Sequence, residues 1–296
     1  MPEGSGGALR VVQWTTGNVA VEAVKALIQR PDVELVGAYA YSPDRVGKDV
    51  GGLCDTGSDL GVCATDDVEA LLALEPDCVV YTPLHFDTGE VQRILRAGVN
   101  IVTSAEFLTG RNLTERARTA VEAAAKQGGA TIFGSGMNPG FAQIVAAISS
   151  GVSTNVRRAS MTESVDVSSS SGTRISGVSI PAGHVGGMDV KWYGTVDGRE
   201  VLAVNQRWVA SRSLEPVWKI EHGYRVEIIG DPNVYVKVDL MPTADDLADL
   251  TPDRMRGIGL RITAAPLVNA IPAVCAAAPG IATYAELPAI SARLLA

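Results

Sequence analysis

The residues able to do chemistry in this sequence sit in short breaks between apolar runs. The first break, Thr15-Thr16-Gly17-Asn18-Val19, separates Leu9-Arg10-Val11-Val12-Gln13-Trp14 from the helically spaced apolar residues of Val21 to Ile28. Aligning Gly17 with the central glycine of a G-x-G-x-x-G turn puts Thr15 in the first slot and Ala20 in the third, so only the central glycine is kept. That one matters most, because a side chain there would keep a pyrophosphate from the backbone N–H groups of a helix N-terminus. Ala in the third slot still lets helix and strand pack closely. The stretch reads as a dinucleotide site, the other reading being an ordinary strand, turn and helix.

The second break is Ser104-Ala105-Glu106-Phe107, after the strand Asn100 to Thr103. A carboxylate flanked by Ala105, Phe107 and Leu108 is expected to be partly shielded from water and so suited to general-base work; equally, Glu106 could be an acid before the next helix. Thr82-Pro83-Leu84-His85-Phe86 ends another strand, and in a parallel sheet such loops face the ligand, so Thr82 and Pro83 should line the cofactor. His85, a lone loop histidine, reads as incidental. Gly134 to Phe141 packs glycines with Asn138 and Pro139, which marks a backbone that turns sharply or approaches a ligand at Asn138, Pro139 and Gly140, and a plausible domain exit.

Cofactor choice is read where the second strand, Val33 to Tyr41, ends. An NAD-selective site usually has Asp or Glu there to bond the ribose 2′-hydroxyl. Here the position holds Tyr41 or Ser42, followed by Arg45 and Lys48, with no carboxylate before Asp44. A hydroxyl donor and a guanidinium suit a 2′-phosphate, so NADP(H) is expected, with Ser42 and Arg45 as its contacts.

The elements that must position these groups alternate strand and helix from Leu9 to Phe133, as a parallel sheet requires. Beyond Arg157 the pattern changes. Strand-like runs at Ala159 to Val167, Val190 to Val196, Leu202 to Ala210, Tyr224 to Ile229 and Val234 to Leu240 follow without helices between them, and Asp197-Gly198 reads as a hairpin turn. Ser168 to Gly172 reads as a flexible loop, and the chain closes with an apolar helix from Pro252 through Val274. The expected fold is α/β: a parallel sheet domain over residues 1–136 and an α+β domain on a largely antiparallel sheet over residues 137–296.

A chain of 296 residues with 46% hydrophobic and 20% charged residues can build both cores without disulfides. Its four cysteines form no C-x-x-C pair, so they read as buried small hydrophobes and a metal site is not expected. A net charge of −8 disfavours nucleic acid and anionic membranes. No run reads as a membrane span, and the first seven residues lack the basic and apolar regions of a signal peptide, so a cytoplasmic location is expected.

Thr16-Gly17-Asn18-Val19, Tyr41-Ser42-Pro43, Ser104 to Phe107, Gly136 to Phe141, Glu163 to Ser168 and Val268-Asn269-Ala270-Ile271-Pro272 together resemble the dihydrodipicolinate-reductase-like family. Within it the chain is most similar to native amine dehydrogenases and 2,4-diaminopentanoate dehydrogenase. The resemblance implies a Rossmann domain, a dimerising α+β domain and a last helix that returns to the first. It also implies NADP(H) or NAD(H) as cofactor, a homodimer, Glu106 as the catalytic glutamate, and Asn138 to Phe141 beside the nicotinamide.

The expected function is an NADP-dependent oxidoreductase that interconverts a small, mainly apolar amine and its ketone. The alternatives are a reductase of another carbonyl or cyclic imine and a non-catalytic NADPH-binding protein. Dihydrodipicolinate reductase itself depends on paired histidines, and His85, His184 and His222 are nowhere adjacent; the related sugar dehydrogenases carry a lysine beside the glutamate position, where Ala105 and Phe107 stand. Between Val167 and Ile180 the resembling proteins carry a longer helical insertion, so the Ser-rich link here implies either a more open pocket or a missing segment.

Overall fold

The computed structural model describes residues 7–166, 184–210, 214–218, 220–248 and 252–293. The Ser-rich link at 168–172 and the shortened stretch up to Ile180 lie outside them. By contact the chain forms two units, one running to Gly140 and resuming at Leu260, the other from Phe141 to Gly259. The first unit thus ends four residues beyond the expected boundary at 136. The turn after the last internal strand folds back on that strand's end, where Ser135 Oγ lies 2.5 Å from Tyr284 Oη.

The first unit opens with β1 (Leu9–Trp14), α1 (Asn18–Leu27), β2 (Val33–Tyr39), α2 (Val50–Leu53), β3 (Ala64–Thr65) and α3 (Val68–Leu72). It continues with β4 (Cys78–Tyr81), α4 (Thr88–Arg96), β5 (Asn100–Thr103), α5 (Glu115–Gly128) and β6 (Thr131–Gly134). The second unit holds α6 (Ala142–Ser150), β7 (Thr154–Asp166), β8 (Gly187–Val196), β9 (Arg199–Val209), β10 (Gly223–Asp231), β11 (Val234–Val238) and α7 (Ala244–Ala248). Then α8 (Pro252–Cys275) leads back to the first unit, where β12 (Gly280–Ala282) completes its sheet.

That sheet is parallel throughout, in the order β12-β6-β5-β4-β1-β2-β3. Strand β4 reads Cys-Val-Val-Tyr and is buried at every position, as a central strand covered on both faces must be. On α1, Ala20, Ala23, Val24 and Leu27 fall on one stripe and are buried. Helix α4 starts where Asp87 caps Gly89 N and Glu90 N; α5 starts at a Thr114 cap and ends at Gly129 in the left-handed region.

Helix α8 covers one face of the sheet, with Ala264, Leu267, Val268, Ala270, Ile271 and Val274 buried in a core shared with Val11, Leu27, Val80, Val102 and Phe133. Contrary to expectation, the stretch Gly257–Cys275 is long and apolar enough to cross a membrane by length and composition. The buried stripe makes up 33% of that window. Arg30, after α1, fastens α8 by donating to Val268 O and Asn269 Oδ1, both at 3.2 Å, while its other nitrogens hold Asp32.

The second unit is a five-stranded sheet in the order β11-β10-β7-β9-β8, antiparallel except where β7 and β9 run parallel. Asp197 and Gly198, both at positive φ, make the hairpin between β8 and β9 as expected. Helix α6 packs on β7, β10 and β11, and Val226 and Ile228 of β10 are buried.

Candidate active site at the carboxyl edge of the parallel sheet

Tyr39, Trp14, Tyr81, Thr103 and Gly134 stand side by side in register on β2, β1, β4, β5 and β6. Because the strands end level, the segments after them emerge along one edge. The sheet thereby gathers Thr15 to Val19, Ser42 to Arg45, Thr82 to Phe86, Ser104 to Phe107 and Ser135 to Gly140, the breaks singled out in the sequence.

The turn after β1 is built around two exceptional positions. Thr15 takes φ +87, a conformation strained for a β-branched residue, in the slot where the fingerprint has glycine. It is held there by a hydrogen bond from its N to Tyr39 O at 3.0 Å and by Thr15 Oγ1 lying 3.2 Å from Thr82 Oγ1. Thr82 in turn accepts from Gln13 Nε2 at 2.8 Å and donates to Trp14 O at 3.2 Å. Thr82 thus braces the turn, a role its position in the sequence did not disclose.

Gly17 is explained differently. Its φ of −78 suits any residue, and a Cβ placed on it would meet no atom within 4 Å. Neither backbone nor packing in the chain demands glycine, so what its missing side chain leaves open is the exposed space in front of α1. No side chain caps that helix, and its first turn carries no acid. Its leading N–H groups are the donors an anion would take, and the residues fit a pyrophosphate.

The turn after β2 departs from expectation in its contacts. Ser42 donates its hydroxyl to Asp44, which holds the Asp44 carboxyl below its usual range. The Ser42 hydroxyl is therefore engaged within its own turn. Arg45 reaches back to the first turn, donating Nη1 to Thr16 O at 2.5 Å and to Thr16 Oγ1 at 2.9 Å. Its remaining guanidinium nitrogens are the ones a phosphate could engage.

An aromatic row underlies these turns. Trp14 stacks on Tyr39 at 4.4 Å between centroids, Tyr39 meets Tyr41 edge-on at 4.8 Å, and Phe86 stacks on Phe107 at 4.9 Å. Tyr41 and Tyr81 both donate to Glu90 Oε2 of α4, at 2.6 and 2.7 Å. Burial first and then the Glu90 carboxylate push both phenols above their ordinary range, so they remain donors.

Glu106 corrects an expectation. Ala105 and Phe107 are buried at 2% and 4% exposure, but the Glu106 side chain is 64% exposed. The backbone at Glu106 has φ +36, and the apolar neighbours that sequence adjacency suggested would shield the carboxylate are buried while it is not. The segment is fixed by Asn112 Nδ2 donating to Glu106 O and by Ala105 N donating to Thr103 Oγ1 at 3.0 Å. His85, read as incidental, stands with Nδ1 3.7 Å from Glu106 Oε2. The only signal for that pairing is that both residues follow neighbouring strands by a few positions.

Asn138 is half-buried, Pro139 exposed and Gly140 buried at φ +138, where a Cβ would press on Ser135 at 3.3 Å. Glycine at 140 is thus demanded by the chain's own turn. Among the described residues no three His, Cys, Asp or Glu side chains gather as a metal ion would need.

The family model for the 2,4-diaminopentanoate dehydrogenase C-terminal domain matches residues 127–295, more than half of the chain. The chain belongs to that family. This 2,4-diaminopentanoate dehydrogenase C-terminal domain family member is 34% identical over 160 residues to an amine dehydrogenase of Streptomyces virginiae. That match covers 50% of this chain and 43% of the relative, so the chain spans less than half the length of the curated relative it matches. In fold the family member resembles an amine dehydrogenase from Mycobacterium smegmatis, with a TM-score of 0.70 at 19% identity over 96% of this chain and 97% of that one. It also resembles an engineered D-amino acid dehydrogenase bound to NADP+, with a TM-score of 0.55 at 15% identity over 95% and 94% of the two chains.

Proposed function

We propose that this protein is an NADP-dependent oxidoreductase that interconverts a small, mainly apolar amine and its ketone. The observation that carries the reading is the open Gly17 turn at the uncapped start of α1, on the same sheet edge as the Glu106 carboxylate. The amine dehydrogenase matches in Streptomyces virginiae and Mycobacterium smegmatis support the amine as substrate class. The choice of NADP rests on Arg45 and on the absence of a carboxylate before Asp44.

A nicotinamide dinucleotide bound at this edge supplies the hydride acceptor or donor. The N–H groups of α1 would hold its pyrophosphate, and Arg45 would meet the 2′-phosphate while keeping the first turn closed. Glu106 would take the proton from the substrate ammonium and then activate the water that adds to the imine carbon. In balance, protonated amine, oxidised cofactor and water give ketone, reduced cofactor, ammonium and a proton. Because Glu106 is exposed, its shielding must come from the substrate's own apolar body.

The second unit supports a homodimer, since Met188, Trp192, Leu202 and Trp208 share one face of β8 and β9 and are exposed. We place the protein in the cytoplasm, in keeping with its reduced cysteines. The deciding experiment follows NADPH oxidation with a small ketone, with and without ammonium. Turnover that requires ammonium supports the amine reading. Equal rates without it would make the protein a carbonyl reductase, and tight NADPH binding with no turnover on any amine or ketone would make it a binding protein.

A further inference from the structure

Two cysteines about 200 residues apart in the chain pack into one core cluster against the parallel sheet. Cys78 opens β4 and is fully buried, while Cys275 closes α8 and is half-buried against the core cluster that contains Cys78. Cys275 Sγ lies 3.8 Å from the carbonyl oxygen of Asp77, the residue before Cys78, and Cys78 Sγ lies 3.7 Å from Val79 O. Both side chains thus pack into one apolar cluster around the start of β4. We infer that Cys78 and Cys275 form an oxidisable dithiol, closed by a peroxide to a disulfide that links the central strand β4 to the end of α8.

The order of events follows from access. Cys275 reaches solvent, so its sulfur attacks the peroxide: an S–O bond forms, the O–O bond breaks, and a sulfenic acid and a water or alcohol result. The Cys78 sulfur then attacks the Cys275 sulfur, the S–S bond forms as the S–O bond breaks, and the hydroxide leaves with the Cys78 proton as water. The two thiols lose two electrons and the peroxide gains them. Burial and the neighbouring Cys275 push the Cys78 thiol well above its usual range, which makes it the slower, resolving partner. The other cysteines are differently placed: Cys63 is exposed, and burial pushes the Cys54 thiol up to about 11.

Cys78 lies at the end of β4 opposite Tyr81, so closing the bond leaves the carboxyl edge of the sheet untouched. Its effect is to fasten the returning segment covalently to the sheet, constraining a very long loop in the unfolded chain.

The test uses the full chain carrying Cys63→Ser, which removes the exposed thiol and leaves three. After mild hydrogen peroxide treatment, alkylation in denaturant should find one thiol, and peptide mass spectrometry should find Cys78 joined to Cys275. Dithiothreitol should restore all three, and the oxidised protein should melt roughly 5–10 °C higher. Three thiols retained after treatment, a sulfinic acid on Cys275 with Cys78 free, or a bond involving Cys54 would each overturn the inference. The readouts are chemical and thermal, so they stand whatever the protein catalyses.

Discussion

His85 Nδ1 and Glu106 Oε2 stand 3.7 Å apart although they follow different strands, β4 and β5. With side-chain exposures of 79% and 64%, the pair is too well solvated to hold the fold together, and exposed pairs of this kind contribute about 0–1 kcal/mol. His85→Asn should therefore shift the melting temperature by no more than about 2 °C. Glu106→Gln should leave melting and cofactor affinity alike unchanged and lower kcat for amine oxidation by roughly 10²–10⁴. Paired calorimetry, cofactor titration and steady-state kinetics check all of this. A Glu106→Gln enzyme with full turnover would remove Glu106 from the chemistry.

Gly17→Ala separates structure from binding. The added methyl meets no protein atom and the backbone there is ordinary, so stability should change by less than about 0.5 kcal/mol, the loss of a glycine at the helix start being offset by a less flexible unfolded chain. Dinucleotide affinity should fall at least about tenfold, because the methyl stands where the pyrophosphate approaches. Urea unfolding and isothermal titration read the two quantities independently. Unchanged affinity would show that the turn holds no cofactor.

Arg45→Ala should weaken NADPH binding about tenfold to hundredfold, the range expected for a charge-assisted contact. NADH should be affected much less. Since Arg45 also donates to Thr16 O, some loss for both cofactors is the signature of a loosened first turn. Equal losses for NADPH and NADH would assign Arg45 to that clamp alone.

Asp32 carries a pH signature. The hydrogen bonds from Arg30 hold its carboxyl below the usual 3.8, outweighing the opposing effect of burial. A carboxyl lowered by folding stabilises the native state above its unfolded value, and the stabilisation is lost as pH falls through the lower folded value. Asp32→Asn should thus cost on the order of 1–2 kcal/mol at pH 7, and the gap from wild type should narrow steadily as pH falls below 3.8. Urea unfolding curves between pH 7 and pH 3 measure the gap; one that widened toward acid would have the sign wrong.

Much of the sheet was legible because β1, β2, β4 and β5 are compact apolar runs that end in small or polar residues, and their level ends bring the chosen breaks together. Glu106 was placed at the sheet edge but misread in environment, since apolar neighbours in sequence can be buried while the residue between them is exposed. The partnership of Arg45 with Thr16 joins turns 29 residues apart, and nothing local in either turn announces it. Strand β12 escaped notice for a different reason. Three residues after an alanine- and proline-rich stretch carry no periodicity, and Gly280–Ala282 becomes a strand because β6 offers an open edge.

That last strand bears on how the molecule is made. Most of the parallel sheet precedes the second unit in the chain, yet β12 and most of the helix that covers one of its faces follow that unit and so leave the ribosome after it. Until they emerge, Val11, Val80, Val102 and Phe133 have no α8 to lie against, while the whole of the second unit has already been synthesised. During synthesis the inserted unit is therefore the first that can finish folding. The nucleotide-type sheet that precedes it must wait as an incomplete, sticky intermediate, the species on which chaperones and proteases would act.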